Sequence, residues 1–416
     1  MKASTRDSCQ ETERHSMLNL PRWTVLTLLC WLPLGSVAVT MLQPTRDDEV
    51  IEVLPAVTSA RPTRAAPGPA VVDPATAVRQ ARQDISIARQ TGDTRYWGRA
   101  QSVLARWWDK PDAPAELAIL QATVQQGRHE FDASRKVLTA ALLREPGNAQ
   151  GWLNLASLER LSGNYPASLA ACEAIERAGQ ALYAQACRLE TQALQGKAGA
   201  SAGLQALVEA SPDSGQRSWL LSLLAEARER EGRDAQAAQA FALSLSMSPD
   251  LYTAIAYSDL LLRTGKNTQA LQALAASPET DAVLLRRAAA WRRLGDARWQ
   301  PTRALLRERE AELLRRGDDI TLHGREAALV ALWLDDDPAA ALALAQRNLL
   351  LQREPVDWYV AVQSARQAGN GAALAELKTS MAAIGLQDKR LAEAFASPGS
   401  KAPASGSAKN ATQGSK

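Results

Sequence analysis

Aromatic residues are scarce in this chain, 5% of 416 residues, and only three are phenylalanine. A core must therefore be assembled from smaller side chains, which suits closely approaching helices better than a sheet sandwich. β-Branched runs of period two are nearly absent, so strands have no local support. Histidine is rarer still: His15, His129 and His323 are the whole supply. No H-E-x-x-H, G-x-S-x-G or glycine-rich phosphate loop occurs, so catalytic residues and a cofactor are expected to be none. His129 falls in a Gly127-Arg128-His129 turn and His323 precedes Gly324 at a helix start, where a solvated role outweighs a catalytic one. The four cysteines contain no C-x2-C pair, which excludes paired-cysteine zinc sites and a disulfide-dense scaffold. A net charge of +3 is too slight to argue for nucleic acid. Asp335-Asp336-Asp337 before Pro338 is acidic enough to suggest calcium. Aspartate before proline is also a good helix start, and that reading is preferred. No metal site is expected.

Charge is also missing from Trp23 to Leu42, a 20-residue run broken only by Pro33 and Gly35. As a helix it spans about 30 Å, the thickness of a bilayer's hydrocarbon core. A polar leader, residues 1–22, precedes it and ends at Arg22, while Asp47, Asp48 and Glu49 lie beyond. This asymmetry places the N-terminus in the cytoplasm and everything after the run on the far side of an inner membrane, single-pass. A cleavable signal ending at Ser36-Val37-Ala38 is the alternative, and it also exports the rest. A lipoprotein is disfavoured, because Leu29 precedes Cys30 where a small residue is wanted. Residues 43–74 carry five prolines from Pro55 to Pro74 and read as a semi-rigid linker. Ser397–Lys416 has no acidic residue and reads as a disordered tail.

Between these ends, residues 75–396 repeat. Trp152, Leu155 and Ala156 sit on one helix; Ser168, Cys172 and Ile175 follow on another after the Gly163-Asn164-Tyr165 turn. Ala118 precedes Trp152 by 34 residues, and Ser134-x3-Leu138 with Pro146 completes the earlier unit. Leu221-x2-Leu224-Ala225 leads to Ala237-x3-Phe241 and Pro249. Ala254-x2-Tyr257-Ser258 leads to Ala270-x3-Leu274, Gly324 to Ala340, and Trp358 to Leu374. Each time a small or apolar residue of the second helix falls 16 positions beyond the first anchor. A divergent first unit runs through Ala81, Ile85, Gly92-Asp93, Ala100 and Leu104 to Trp107-Trp108. The unit at 281 meets Trp299-Gln300-Pro301 where its small residue belongs, so its second helix is expected to start late, over Arg303–Arg316. Trp152, Phe241 and Trp291 are expected in the core.

The pattern resembles the tetratricopeptide repeat, with Glu159 where that family prefers tyrosine. The resemblance implies an all-α, right-handed solenoid whose first helices line a concave groove. It also implies a non-enzymatic scaffold that holds a protein or peptide there, in this case in the cell envelope. A subunit of an envelope assembly machine, of the cytochrome-maturation or polymer-export type, is the second reading, and an enzyme a distant third.

Three local features carry finer expectations. Arg286 and Arg293, seven apart, fall within about 20° on the wheel. With Arg263 from the preceding unit they form a candidate basic strip in the groove, suited to an acidic peptide or a free C-terminus. Ordinary solvated pairing is the bland alternative. Trp108 is a candidate docking ring if its neighbour Trp107 faces inward. Cys172 and Cys187 land at similar heights in a helical hairpin and are a disulfide candidate outside the cytoplasm. Two buried thiols are the alternative.

Overall fold

The computed structural model describes residues 73–315 and 324–396. All belong to one compact unit, Ala70–Lys416. The Trp23–Leu42 run, the linker up to residue 72, His15, His323 and the 397–416 tail lie outside the described residues. No described helix is long and apolar enough to cross a membrane.

Nineteen α-helices and no strand make up the described residues, arranged as antiparallel pairs in chain order. The first pair is α1 (Pro74–Thr91) and α2 (Arg95–Leu104), followed by α3 (Ala115–Gly127) with α4 (Phe131–Arg144). Next come α5 (Ala149–Leu161) with α6 (Tyr165–Arg177), and α7 (Ala181–Leu194) with α8 (Ala200–Ala210). The middle holds α9 (Ser214–Arg230) with α10 (Asp234–Met247), and α11 (Leu251–Arg263) with the short α12 (Asn267–Ala273). Then follow α13 (Asp281–Arg293) with α14 (Trp299–Arg315), and α15 (Gly324–Trp333) with α16 (Pro338–Leu351). The last pair is α17 (Pro355–Gln367) with α18 (Gly371–Ile384), and α19 (Lys389–Ala396) ends the array.

The punctuation is local chemistry. Asp73, Asn148, Asn164, Asp213, Asp250, Thr280, Asp337 and Asn370 each accept the backbone N–H three residues ahead, satisfying a donor the helix itself leaves unpaired. The corner between helices of a pair commonly takes a positive φ, which glycine supplies at Gly163, Gly232 and Gly265. His129 occupies the equivalent corner with φ 61°, a conformation a side chain accepts only at a cost. Small residues then let paired helices meet: Ser134, Ser168, Ala237 and Ala270 are all fully buried. The hydroxyls are satisfied, Ser134 Oγ donating to the Ala122 carbonyl at 2.9 Å.

Three expectations need correction. The second helix of the unit at 281 starts at Trp299, not Arg303, because the turn is already made at Gly295–Arg298 and proline is tolerated within a first turn. Trp291 is half-exposed and lies under the Arg298 guanidinium 4.8 Å away, so Leu284 and Ala288 form the core there without it. Trp152 is also only partly buried, its indole N–H donating to the Pro146 carbonyl at 2.8 Å. Phe241 is fully buried and meets Tyr257 at 5.8 Å.

The array coils back on itself. Leu351 at the end of α16 packs into the cluster built around Ile119, Leu138 and Leu158. Gly92 at the end of α1 abuts the Thr280 side chain. One coil thus rests on the next, and the inner face becomes partly enclosed.

Candidate functional site

Several neighbouring first helices join through ion pairs about one repeat apart. Arg263 on α11 reaches Glu229 on α9 at 3.2 Å and Asp234 at the start of α10. Arg325 on α15 holds Asp357 on α17 through two nitrogens, at 2.7 and 3.0 Å. Burial pushes the Asp357 carboxyl up to about 6 against the pull of that guanidinium.

Arg286 does not face a ligand. It is 1% exposed, and its Nε and Nη2 each donate to Asp259 at 2.8 Å, while Nη1 donates to the Ala282 carbonyl. Burial pushes the Asp259 carboxyl above its ordinary range, and the paired guanidinium opposes that shift. The Arg286–Arg293 strip is therefore corrected: a seven-residue step fixes azimuth, but Asp259 on the neighbouring helix draws one of the two arginines into the packing.

Arg263 and Arg293 do come together. They line an inner cavity of about 280 Å³ bounded by α9, α11, α13, α15, α17 and α19. Arg390 of α19 joins them, and Glu229 and Asp259 supply the opposite charge. Its apolar walls include the buried Leu262, Leu329, Leu332 and Val360, with Trp333 and Tyr359 half-buried beside them. Arg390 is held by Asp388 and bonds Glu229 at 2.7 Å.

Arg293 differs from its two companions. Its Nη1 donates to the Leu262 carbonyl at 2.7 Å and its guanidinium lies 5.5 Å from the Trp333 ring centre. Among the described residues no carboxylate pairs with it, because the nearby Asp259 is held by Arg286. Arg293 is exposed to solvent on one side; partial desolvation lowers its affinity for the proton, and the fields of Tyr359 and Asp259 oppose that shift. The cavity can thus accept one carboxylate attached to an apolar body.

A larger recess of about 370 Å³ lies elsewhere, between His129–Arg135 and Leu350–Arg353. It is the weaker candidate: Arg135 there is already committed to Asp132 and Glu159, and Glu130 and Asp132 repel a second anion. A third polar patch joins Glu226 to Tyr252, whose hydroxyl donates at 2.8 Å. Burial pushes Glu226 up to about 7, and that carboxylate in turn pushes the Tyr252 hydroxyl well above its usual range.

Trp108 is half-buried and packs with Trp97 and Trp107 on the terminal core around Ile85 and Leu104, so the second ring of the pair is not a free docking point. Cys172 and Cys187 are joined in a buried disulfide with a Cα–Cα distance of 5.6 Å. Asp337 caps α16, while Asp335 pairs with Arg303 and Arg307 and Asp336 with Arg292. Among the described residues no cluster of three potential metal ligands occurs.

Arg390 and Tyr359 were not legible as site residues. Arg390 lies beyond the last repeat, where no register applies. A partial signal existed for the ion pairs, since Glu229 precedes Arg263 by one 34-residue step.

Nine successive antiparallel helix pairs follow one another among the described residues, with small residues such as Ser134, Ser168, Ala237 and Ala270 buried at several of their contacts. The described array is a tetratricopeptide-like helical repeat. No protein-family model matches the sequence, and no curated protein matches it. Among solved structures it is similar to a Rap protein crystallised with Competence and Sporulation Factor, at 10% identity and a TM-score of 0.47. That match covers 77% of this chain and 87% of the other. It is also similar to a tetratricopeptide repeat protein from Parabacteroides merdae, at 15% identity and a TM-score of 0.35, over 69% of this chain and 98% of the other. The repeat architecture rests on this chain's own helix pairs and their spacing, not on these two likenesses.

Proposed function

We propose that this tetratricopeptide-like array is a protein- or peptide-binding scaffold, not an enzyme, and that its inner cavity holds an apolar segment bearing a carboxylate. The observation that carries this reading is Arg293, a guanidinium beside apolar walls with no carboxylate partner among the described residues. Arg263 and Arg390 are already bonded to Glu229 and contribute field more than new bonds. A partner's free C-terminus or acidic side chain would pair with Arg293 while its apolar part lies against Leu329, Leu332 and Trp333. The test is titration of the full-length chain with acetyl-Leu-Phe carrying a free carboxylate, and with its C-terminal amide. The acid should bind at least tenfold more tightly, Arg293→Gln should abolish the difference, and added salt should weaken it. Equal binding of acid and amide would remove the cavity from consideration.

The reading extends to location. The uncharged run Trp23–Leu42 and the acidic cluster after it support an envelope protein anchored in, or exported through, the cytoplasmic membrane, with its repeats on the far side. The Cys172–Cys187 bond is the kind that persists outside the cytoplasm. A reporter active only after export, fused after Pro74, should be active. Activity from a cytoplasm-dependent reporter alone would refute this placement.

A further inference from the structure

The loop between α16 and α17 and the segment that ends the array lie across three corners made far earlier in the chain. Arg353 N–H donates to the Leu161 carbonyl at 2.7 Å, and Gln387 N–H donates to the Leu194 carbonyl at 2.8 Å. Leu161 and Leu194 are the last residues of α5 and α7, whose final carbonyls have no partner within their own helices. At the third corner, Arg390 bonds Glu229 near the end of α9. The glycines of the same corners leave room for this approach. A Cβ on Gly163 would lie 3.2 Å from Ile384, one on Gly196 would lie 2.7 Å from Gln387, and one on Gly232 would lie 3.5 Å from Lys389. Leu386 and Leu391, both fully buried, add an apolar seal.

These contacts bridge elements about 160 to 190 positions apart in sequence, whereas most helices pack mainly on their chain neighbours. The closing segment is also terminal and short, the type of element that opens locally before the rest unfolds. Arg390 bonds Glu229 across this seam and lines the inner cavity. That side of the cavity is therefore complete only while the segment is docked.

We propose that Ile384–Ala396 is a latch that closes one coil of the array onto another, and that a carboxylate ligand in the cavity locks it. The locking rests on the reading of the cavity as the binding site; the latch does not. A ligand that touches Arg390 of α19 as well as α13 and α15 binds the docked state more tightly, so occupancy shifts the population toward closure.

Hydrogen exchange of the full-length chain, followed by mass spectrometry, tests both parts. Arg390→Ala removes the charged contact, and Gln387→Pro removes the donated N–H while leaving every charge and the cavity's side chains in place. Each should speed exchange over residues 384–396 by tenfold or more. Exchange in α1 to α4 should stay unchanged, which shows that the fold persists. Acetyl-Leu-Phe with a free carboxylate should slow exchange over 384–396 several-fold in the parent chain and not in Arg293→Gln. No acceleration in either variant would overturn the latch. Acceleration in the variants, with peptide binding that leaves exchange unchanged, would overturn the locking and keep the latch. Absence of peptide binding in a direct titration would remove the cavity reading, and the locking with it, while the variants still decide the latch.

Discussion

Two stretches of the same array are held together by different physics. From α5 to α8 the core is small and apolar, with Ala156, Ala171, Ile175 and Ala184 buried around the Cys172–Cys187 bond and one partly exposed pair, Arg160–Glu190, joining α5 to α7. From α11 to α17 the first helices are tied by buried charge, Arg286 to Asp259 and Arg325 to Asp357. Both stretches build the same helix pairs. An apolar contact between neighbours tolerates small changes of fit, whereas a desolvated pair requires both members. The charged stretch is therefore the more brittle, and it surrounds the cavity.

The sharpest test of this contrast is Arg286→Ala. It leaves Asp259 without its bidentate partner inside the packing and should cost about 3–5 kcal/mol, read as a lowered urea midpoint. Replacing both members, Arg286→Met with Asp259→Leu, should recover most of the loss. If the single change costs under about 1 kcal/mol, the pair behaves as a surface pair and the contrast fails.

In the apolar stretch, Cys172→Ser with Cys187→Ser should cost about 3 kcal/mol, as expected for releasing a bond across 15 residues. Alkylation without reductant followed by mass spectrometry checks the premise, because neither cysteine should be labelled in the parent.

A comparable or slightly smaller effect belongs to pH. Glu226 is raised from 4.5 to about 7 by burial. The folded chain then keeps a proton that the unfolded chain releases above about 4.5, so this group's contribution falls as pH rises toward 7 and stays low beyond it. Asp357, raised to about 6, acts in the same direction. Glu226→Gln should match the parent near pH 4 and exceed it at pH 8 by no more than about 3 kcal/mol. An unchanged pH profile of stability would show that Glu226 is ionised in the fold.

The smallest effect is a local one. Asp213→Ala removes the acceptor at 2.7 Å from the Gln216 N–H and should cost about 1 kcal/mol. It should be additive with the charged variants around α13, since no contact is shared.

Helix pairs and their corners were legible because each depends on residues within one repeat. Asp337 before Pro338 announces a helix start, Gly163-Asn164 a corner, and Ser134, Ser168, Ala237 and Ala270 mark where two helices meet. The half-exposure of Trp291 was not legible, because Arg298 on the adjoining turn competes for the ring. Nor was the fate of Arg286. Its azimuth matched that of Arg293, but a partner 27 residues earlier took it out of solvent.

The sequence alone determined that the chain from Pro74 to Ala396 forms stacked helical hairpins, because period, small contact residues and caps act over a few turns of chain. The tertiary structure alone decided where the first coil meets the second, and hence that Arg263, Arg293 and Arg390 share one cavity. That meeting depends on a small rotation between neighbouring units, summed over several of them, and a sum of small angles leaves no mark in any single repeat.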